Sequence, residues 1–154
     1  MINVHATCVA FGSFGVLIRG PSGSGKSSLA LRLIDAEGFG VGPNKLTAKL
    51  VADDQVMLEQ KASGVSATPP AALAGKLEIR GLGIIPLDYL KAAQLRLVVD
   101  LLPYSSIPRM PDSVDANVEL LSVVLPRLML DGLSVDAAAK LRTAVVHLKR
   151  NNTF

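Results

Sequence analysis

The chain lacks several features that would place it in common classes of protein. It has no tryptophan and a single cysteine, Cys8, which excludes a disulfide framework and fits a reducing compartment. We interpret Cys8 as a small core residue. No apolar run approaches the roughly 18 residues of a membrane span, and the N-terminus lacks the basic start and apolar core of a signal peptide. These absences predict a cytoplasmic protein that does not contact a membrane.

The composition favours one α/β domain. The 154 residues are 49% hydrophobic but only 4% aromatic, so the core must be built from aliphatic side chains, as in proteins with buried parallel strands. The formal charge is +3, but the basic residues are scattered, so the charge does not indicate nucleic-acid binding. We therefore predict a single domain over residues 1–154.

The most informative motif is GPSGSGKS, at residues 20–27. It matches the GxxxxGK[ST] phosphate-binding loop, and it lies between an apolar run and an apolar-periodic stretch, the strand–loop–helix context that this loop requires. Backbone N–H groups of such a loop bind phosphate oxygens at the positive end of the helix. Lys26 is expected to reach the β- and γ-phosphates, and Ser27 to bind Mg²⁺. The predicted nucleotide-binding residues are Gly20, Pro21, Ser22, Gly23, Ser24, Gly25, Lys26, Ser27 and Ser28.

The pattern of apolar and turn residues predicts two helices among many short strands. The helices are expected over 28–36 and over 135–150, the second capped by Ser134. The predicted loops are 38–46, 63–70 and 103–112. Strands are expected over 4–11, 16–18, 49–52, 56–59 and 95–102, in two pieces within 77–85, and in pieces over 118–130 around Pro126.

Asp53 and Asp54 follow the predicted strand at 49–52. An acidic residue at the end of a buried strand can reach the Mg²⁺ of a nucleotide held by the loop. Adjacent side chains of a strand point to opposite sides, so one carboxylate could serve the metal and the other the incoming hydroxyl. The alternative is a solvated Asp-Asp turn.

Three further positions are candidates for the site. Glu78 and Arg80 share a strand face ahead of a Gly-Leu-Gly turn, which fits either a site under that turn or an ion pair on an edge strand. His5 is the histidine near the loop in sequence, although a lone histidine is more often packed or on the surface than catalytic. Arg109 lies in a proline-rich loop and is either a phosphate-contacting residue or solvated.

Several of these motifs, taken in order, closely resemble the catalytic domain of bacterial HPr kinase/phosphorylase. They are the Val-His start at His5, the phosphate loop, LVADD at 50–54 and LEIRGLGII at 77–85. The last motif is far more specific than a phosphate loop, and the resemblance is strongest from Val4 to Pro86. It implies a short form without the family's N-terminal regulatory domain. It also implies a hexamer whose mixed β-sheet and flanking helices resemble the nucleotide core of phosphoenolpyruvate carboxykinase.

The resemblance implies a reaction as well as a fold. A seryl hydroxyl of HPr, a phosphocarrier protein of the sugar phosphotransferase system, would be phosphorylated with ATP and Mg²⁺. By this resemblance, Lys26 would bind the transferring phosphoryl group, and Ser27, Glu78 and Asp54 would coordinate Mg²⁺. Asp53 or Asp54 would accept the serine proton, with His5 close by. Arg109 would assist catalysis.

Two segments depart from the family pattern. Gly38 to Lys49 is an extra stretch between the loop helix and Asp53. After the predicted strand that ends at Leu130, the family continues with an arginine- and glycine-containing loop, which is associated with attack of inorganic phosphate on phosphoserine. Here the sequence is DGLSVD at 131–136. The missing positive charges predict weak or absent phosphorylase activity.

Two other functions stay open on the sequence. A small-molecule kinase or ATPase would use the same loop, but it usually needs an arginine-rich substrate lid that the chain does not clearly show. A nucleotide-sensing regulator would bind ATP and a partner protein, but it would not need the set formed by Lys26, Ser27, Asp53, Asp54 and Glu78.

Overall fold

The computed structural model describes residues 1–154 and contains eleven strands and two helices. The helices are α1 (Lys26–Asp35) and α2 (Ala137–Asn151), and short 3₁₀ segments cover Ala71–Leu73 and Tyr104–Ser106. The strands are β1 (Ile2–His5), β2 (Thr7–Phe11), β3 (Phe14–Arg19), β4 (Ala48–Ala52), β5 (Gln55–Lys61), β6 (Gly64–Thr68), β7 (Lys76–Ile79), β8 (Gly83–Pro86), β9 (Ala93–Leu101), β10 (Asn117–Leu120) and β11 (Val123–Leu130).

Nine of the strands form one mixed sheet. Its main order is β1-β5-β6-β9-β3-β2-β4, with β11 on β9 and β10 on β11. The long strand β9 is central, because it pairs with β3 and β11 in parallel and with β6 in antiparallel orientation. The other two strands, β7 and β8, form a separate antiparallel hairpin. The fold is thus α/β with a mixed sheet and flanking helices, as predicted.

One face of the sheet is covered by both helices. We call the apolar cluster between the helices and the sheet the helix-side core. It includes Ile18 and Val99 from the sheet, Leu29 and Leu33 from α1, and Leu141 from α2, all fully buried. Burying each such aliphatic side chain is worth roughly 1.5–3 kcal/mol. This packing fixes the start of α1, and hence the phosphate loop, against the end of β3.

The sheet curls around a second apolar cluster, which we call the inner core. It contains Cys8, Leu17, Val51, Leu58 and Val98, all fully buried. Cys8 is therefore a core residue, as predicted, and its burial raises the pKa of the thiol to about 12.

Two of the predictions for strands and loops are wrong. Residues 4–11 were expected to form one strand, but the chain breaks at Ala6, whose N–H donates to the carbonyl of Asp54. β1 then pairs with β5, and β2 pairs with β3 and β4. Residues 63–70 were expected to be irregular, yet they hold β6, because pairing with β5 and β9 outweighs the weak strand propensity of its small residues.

The C-terminal region shows how a strand accommodates a proline. Pro126 lies in β11 at the last position paired with β10, and pairing with β9 begins at Arg127. The missing N–H of proline therefore falls where β11 changes partner. α2 begins at Ala137, later than predicted. Its N-cap residue is Asp136, and the Ser134 hydroxyl donates to the Asp131 carbonyl and the Asp136 carboxylate instead of capping the helix. Neither helix is long and apolar enough to cross a membrane.

Candidate nucleotide-binding site

A cleft of about 800 Å³ opens where the phosphate loop, the end of β4 and the β7–β8 hairpin meet. This volume is within the usual range for small-molecule sites. The lining residues are His5, Thr7, Ser22, Gly23, Gly25, Lys26, Ser27, Ser28, Leu31, Asp53, Asp54, Glu78, Ile79, Arg80, Gly81, Gly83 and Leu133. Most of them are polar, so the cleft is suited to a charged ligand.

The phosphate loop connects β3 directly to α1, as the motif predicts. Gly23 and Gly25 have φ of 82° and 97°, a conformation that favours glycine. The Lys26 ammonium donates to the carbonyls of Gly20 and Pro21 at 2.7 and 3.0 Å. Burial lowers the pKa of Lys26, and the negative charges of Asp53 and Asp54 oppose that effect.

Asp53 is a buried carboxylate that accepts hydrogen bonds from three elements of the site. It is 4% exposed. One carboxylate oxygen accepts hydrogen bonds from the hydroxyls of Thr7 and Ser27, both at 2.8 Å, and the other accepts from the backbone N–H of Glu78 at 3.2 Å. β2, α1 and β7 thereby converge on one carboxylate, which is held beside the first turn of the loop helix.

Asp54 points into the open part of the cleft. It has a left-handed backbone, with φ of 68°, and its side chain is 51% exposed. The nearest carboxylate oxygen lies 3.4 Å from Nδ1 of His5. The adjacent carboxylates are therefore separated by environment: Asp53 is buried against Ser27, and Asp54 stands in solvent beside His5.

The β7–β8 hairpin forms one rim of the cleft. The exposed side chains of Glu78 and Arg80 lie on this rim, so the two charges face the site below the glycine turn. Gly81 and Gly83 take positive φ values of 92° and 103° in that turn. The shared strand face that the sequence predicts for Glu78 and Arg80 thus points at the phosphate loop.

The structure brings most of the predicted site residues together, but not all. His5, Lys26, Ser27, Asp53, Asp54 and Glu78 line one cleft with four more residues of the loop region, Ser22, Gly23, Gly25 and Ser28. Gly20, Pro21 and Ser24 shape the loop without lining the cleft, and Arg109 is exposed outside it, in the segment before β10. The catalytic role of Arg109 stays a prediction.

Sequence reasoning missed Thr7 and Leu133. Thr7 is a hydroxyl residue in a strand that is otherwise apolar and fully buried, and this exception was the available signal. Leu133 follows β11, more than a hundred residues after the loop in the chain. Its place in the cleft depends on long-range packing, and local sequence carried no signal for it.

The site offers hard oxygen donors for a cation. The hydroxyl of Ser27 and the carboxylates of Asp53 and Glu78 are available, but no three acidic, histidine or cysteine side chains gather into a metal-binding group. This donor set fits Mg²⁺, which is commonly held by one or two carboxylates together with substrate phosphates.

Known proteins of similar sequence come from one family. HPr kinase/phosphorylase of Enterococcus faecalis is 36% identical over 136 residues, which are 82% of this chain and 40% of that protein. The Bordetella pertussis protein of the same name is 32% identical over 168 residues, covering 99% of this chain and 51% of that protein. The chain therefore spans about half the length of these relatives or less.

A solved structure shares the fold. The Hpr(Ser) kinase/phosphatase from Coxiella burnetii matches with a TM-score of 0.77 and 23% identity, over 99% of this chain and 92% of that one. In addition, the family model described as HPr Serine kinase C-terminal domain matches residues 1–106. Because this match covers more than half of the chain, the protein belongs to the HPr serine kinase C-terminal domain family.

Proposed function

We propose that this chain transfers the γ-phosphoryl group of ATP, with Mg²⁺, to a seryl hydroxyl of HPr, and that its phosphorylase activity is weak or absent. The observation that carries the proposal is that the two adjacent carboxylates lie in different environments. Asp53 is bonded to Ser27 at the phosphate loop, and Asp54 stands beside His5 in the open cleft. The names of the relatives support HPr as the acceptor.

Ser27, Asp53 and Glu78 are the residues that would hold Mg²⁺. The ion, when bound, neutralises charge on the β- and γ-phosphates. We favour Asp53 over Asp54 in this role because the Asp53 carboxylate already lies 2.8 Å from the Ser27 hydroxyl. Asp54 was the predicted ligand, and its exposed position suits the acceptor side of the cleft.

Lys26 and the loop amides stabilise the transferring phosphoryl group. Transfer passes through a loose transition state, so the protein's main tasks are positioning and charge neutralisation. Lys26 exchanges its bonds to the carbonyls of Gly20 and Pro21 for phosphate oxygens when nucleotide binds. Its positive charge then lies in the largely buried base of the cleft, where electrostatic stabilisation is stronger than in water.

Asp54 accepts the proton of the serine hydroxyl. Its carboxylate is exposed enough for a protein substrate to reach, and the imidazole of His5 at 3.4 Å orients it. A general base needs to lie within hydrogen-bond reach of the proton that it abstracts. Arg80, on the hairpin rim, adds positive charge on the side from which an acceptor would approach.

The direct experiment uses ATP labelled at the γ-phosphate, Mg²⁺ and this chain, with and without HPr. We expect label on one serine of HPr, and no labelling by the Lys26→Ala variant. Label that appears only on small molecules or as free phosphate would instead indicate a small-molecule kinase or ATPase. Binding of ATP without any transfer would indicate a nucleotide sensor. The predicted hexamer and the predicted cytoplasmic location belong to this proposal, and light scattering of the purified chain tests the first of them.

A further inference from the structure

We infer that Leu133 forms the apolar wall on which the nucleoside end of the nucleotide packs, so that this residue sets the preference of the site for a nucleotide over an inorganic polyphosphate. The inference rests on the proposed function, because it assigns part of the same nucleotide site. It concerns a residue that follows β11 and lies outside the phosphate-loop motif.

Leu133 is held in place although its side chain is in solvent. The side chain is 72% exposed. Its backbone N–H donates to a carboxylate oxygen of Asp131 at 3.0 Å, and the Arg32 guanidinium of α1 donates to the carbonyls on either side, Gly132 and Ser134. An ordered turn thus presents a large apolar side chain to water inside a binding cleft, which is the arrangement expected of a ligand contact.

Leu133 lies directly beside the phosphate loop. A Cβ atom placed on Gly25 would be 3.2 Å from Cδ2 of Leu133 and from the carbonyl oxygen of Gly132. The approach depends on glycine at position 132 as well, because a Cβ there would be 2.6 Å from the carbonyl oxygen of Ser24. The turn after β11 therefore forms a wall of the same cleft as the loop.

The sheet order shows which end of the nucleotide meets this wall. Asp53, at the end of β4, marks the side of the metal and of the β- and γ-phosphates. β4 and β11 lie on opposite sides of β3, in the order β4-β2-β3-β9-β11. The nucleoside is at the other end of the nucleotide from the γ-phosphate, so it extends toward β11 and Leu133.

The chemistry of the wall also suits an uncharged group. Segment 131–136 carries two carboxylates, Asp131 and Asp136, and no basic residue, so it is unsuited to a phosphate. The other apolar lining residues, Leu31 and Ile79, are partly buried and already packed against the helix-side core. Leu133 is the exposed apolar surface that remains for a nucleoside.

The test compares two ligands that share their phosphates. Binding of Mg·ATP and of Mg·tripolyphosphate to the full chain is measured by titration calorimetry for the natural protein and for Leu133→Ala. Covering roughly 50 Å² of apolar surface corresponds to about a five- to tenfold gain in affinity. We therefore expect the Kd for ATP to rise five- to tenfold in Leu133→Ala, while the Kd for tripolyphosphate changes less than twofold.

Two further variants control the experiment. Val135→Ala removes a fully exposed apolar side chain two residues away, outside the cleft, and should leave both Kd values unchanged. Leu133→Met keeps an apolar side chain and should retain the affinity for ATP. Equal weakening of both ligands in Leu133→Ala, or no weakening of ATP, overturns the inference. Failure of the natural protein to bind ATP would overturn the proposed function itself, so the two failures are distinguishable.

Discussion

The orientation of the adjacent Asp53 and Asp54 side chains predicts different effects of their substitution on ATP binding and on phosphoryl transfer. Asp54→Asn should leave ATP affinity within twofold of the natural value, because its side chain is exposed and the hydrogen bond of Ser27 is to Asp53. The rate of transfer to HPr should fall by roughly 10²–10⁴-fold, the usual contribution of a general base. Single-turnover transfer and equilibrium binding, measured together, separate the two effects.

The matched variants are Asp53→Asn and Asp88→Asn. Asp53→Asn places an amide among donors from Thr7, Ser27 and Glu78, so it should weaken Mg·ATP binding as well as transfer. Asp88 pairs with Lys49 outside the cleft, and its variant should behave as the natural protein. Normal transfer by Asp54→Asn would remove Asp54 from the mechanism.

Thr7 gives a second prediction at the scale of single residues. Its buried hydroxyl donates to the same oxygen of Asp53 as the Ser27 hydroxyl does, so it fixes the direction of that carboxylate. Thr7→Val removes the donor with little change of shape. We expect the Mg²⁺ concentration for half-maximal transfer to rise about tenfold, consistent with loss of a hydrogen bond to a charged group, about 1.5–3 kcal/mol.

The Mg²⁺ titration of Thr7→Ser provides the control, because serine keeps the hydroxyl and should restore the natural Mg²⁺ dependence. A positioning role predicts this rescue. If Thr7→Val merely lowered the melting temperature, with an unchanged Mg²⁺ requirement, then Thr7 would be a packing residue.

The site residues that could be predicted from the sequence belong to motifs whose local backbone geometry follows from the motif itself. The phosphate loop predicted Lys26 and Ser27, and the strand-end position predicted that Asp53 and Asp54 would divide between two environments. Which aspartate faces Ser27 depends on the left-handed backbone at Asp54 and on the hydrogen bond from Thr7, 46 residues away in the chain. Neither feature can be read from the order of residues alone.

At the scale of elements, one carboxylate joins three strands just before the phosphate loop. Asp100 of β9 accepts two hydrogen bonds from Arg19 of β3, at 2.7 and 2.8 Å, and one from Arg127 of β11. Burial alone would raise the pKa of Asp100, but the hydrogen bonds and charges of the two arginines outweigh it and hold the pKa below its ordinary value. Arg19 immediately precedes the loop, so this network anchors the strand that carries it.

Asp100→Ala should therefore destabilise the fold by about 2 kcal/mol at pH 7, the scale of hydrogen bonds to charged groups. Because the folded-state pKa is depressed, this stabilisation is present above the unfolded pKa of about 3.9 and is lost as the pH falls through the folded pKa. Urea unfolding at neutral and acidic pH measures it, and the difference from the natural protein should shrink in acid.

The surface pair of Asp88 and Lys49 offers the comparison for that experiment. Asp88→Ala removes an exposed ion pair and should cost less than about 1 kcal/mol. Equal unfolding free energies for Asp100→Ala and the natural protein at pH 7 would show that the three-strand network adds nothing to stability.

Elements with strong local patterns were predictable, and those made by pairing were not. The helix after the loop and the strand at 95–102 have clear apolar patterns, and both are present with small shifts of their ends. β6 consists largely of small residues, and it is a strand because β5 and β9 pair with it on both sides. The break at Ala6 likewise follows from a hydrogen bond to the distant Asp54.

At the scale of the whole molecule, the forward and reverse reactions place different demands on charge. The proposed forward reaction, transfer from ATP, would bind one polyphosphate in the loop. The reverse reaction needs inorganic phosphate beside a phosphoserine, two anions whose repulsion must be offset by additional positive groups. The turn after β11, which lies against the phosphate loop, offers Asp131 and Asp136 and no basic residue. Arg32 is close by, but its guanidinium donates to the carbonyls of Gly132 and Ser134.

We therefore expect this chain to release pyrophosphate from phosphoserine-HPr and inorganic phosphate at less than about 1% of its forward rate. A coupled pyrophosphate assay, at saturating phosphate and with the forward reaction measured on the same preparation, checks the ratio. Reverse and forward rates of similar size in the natural chain would show that Lys26 and Arg80 alone supply enough positive charge for the second anion.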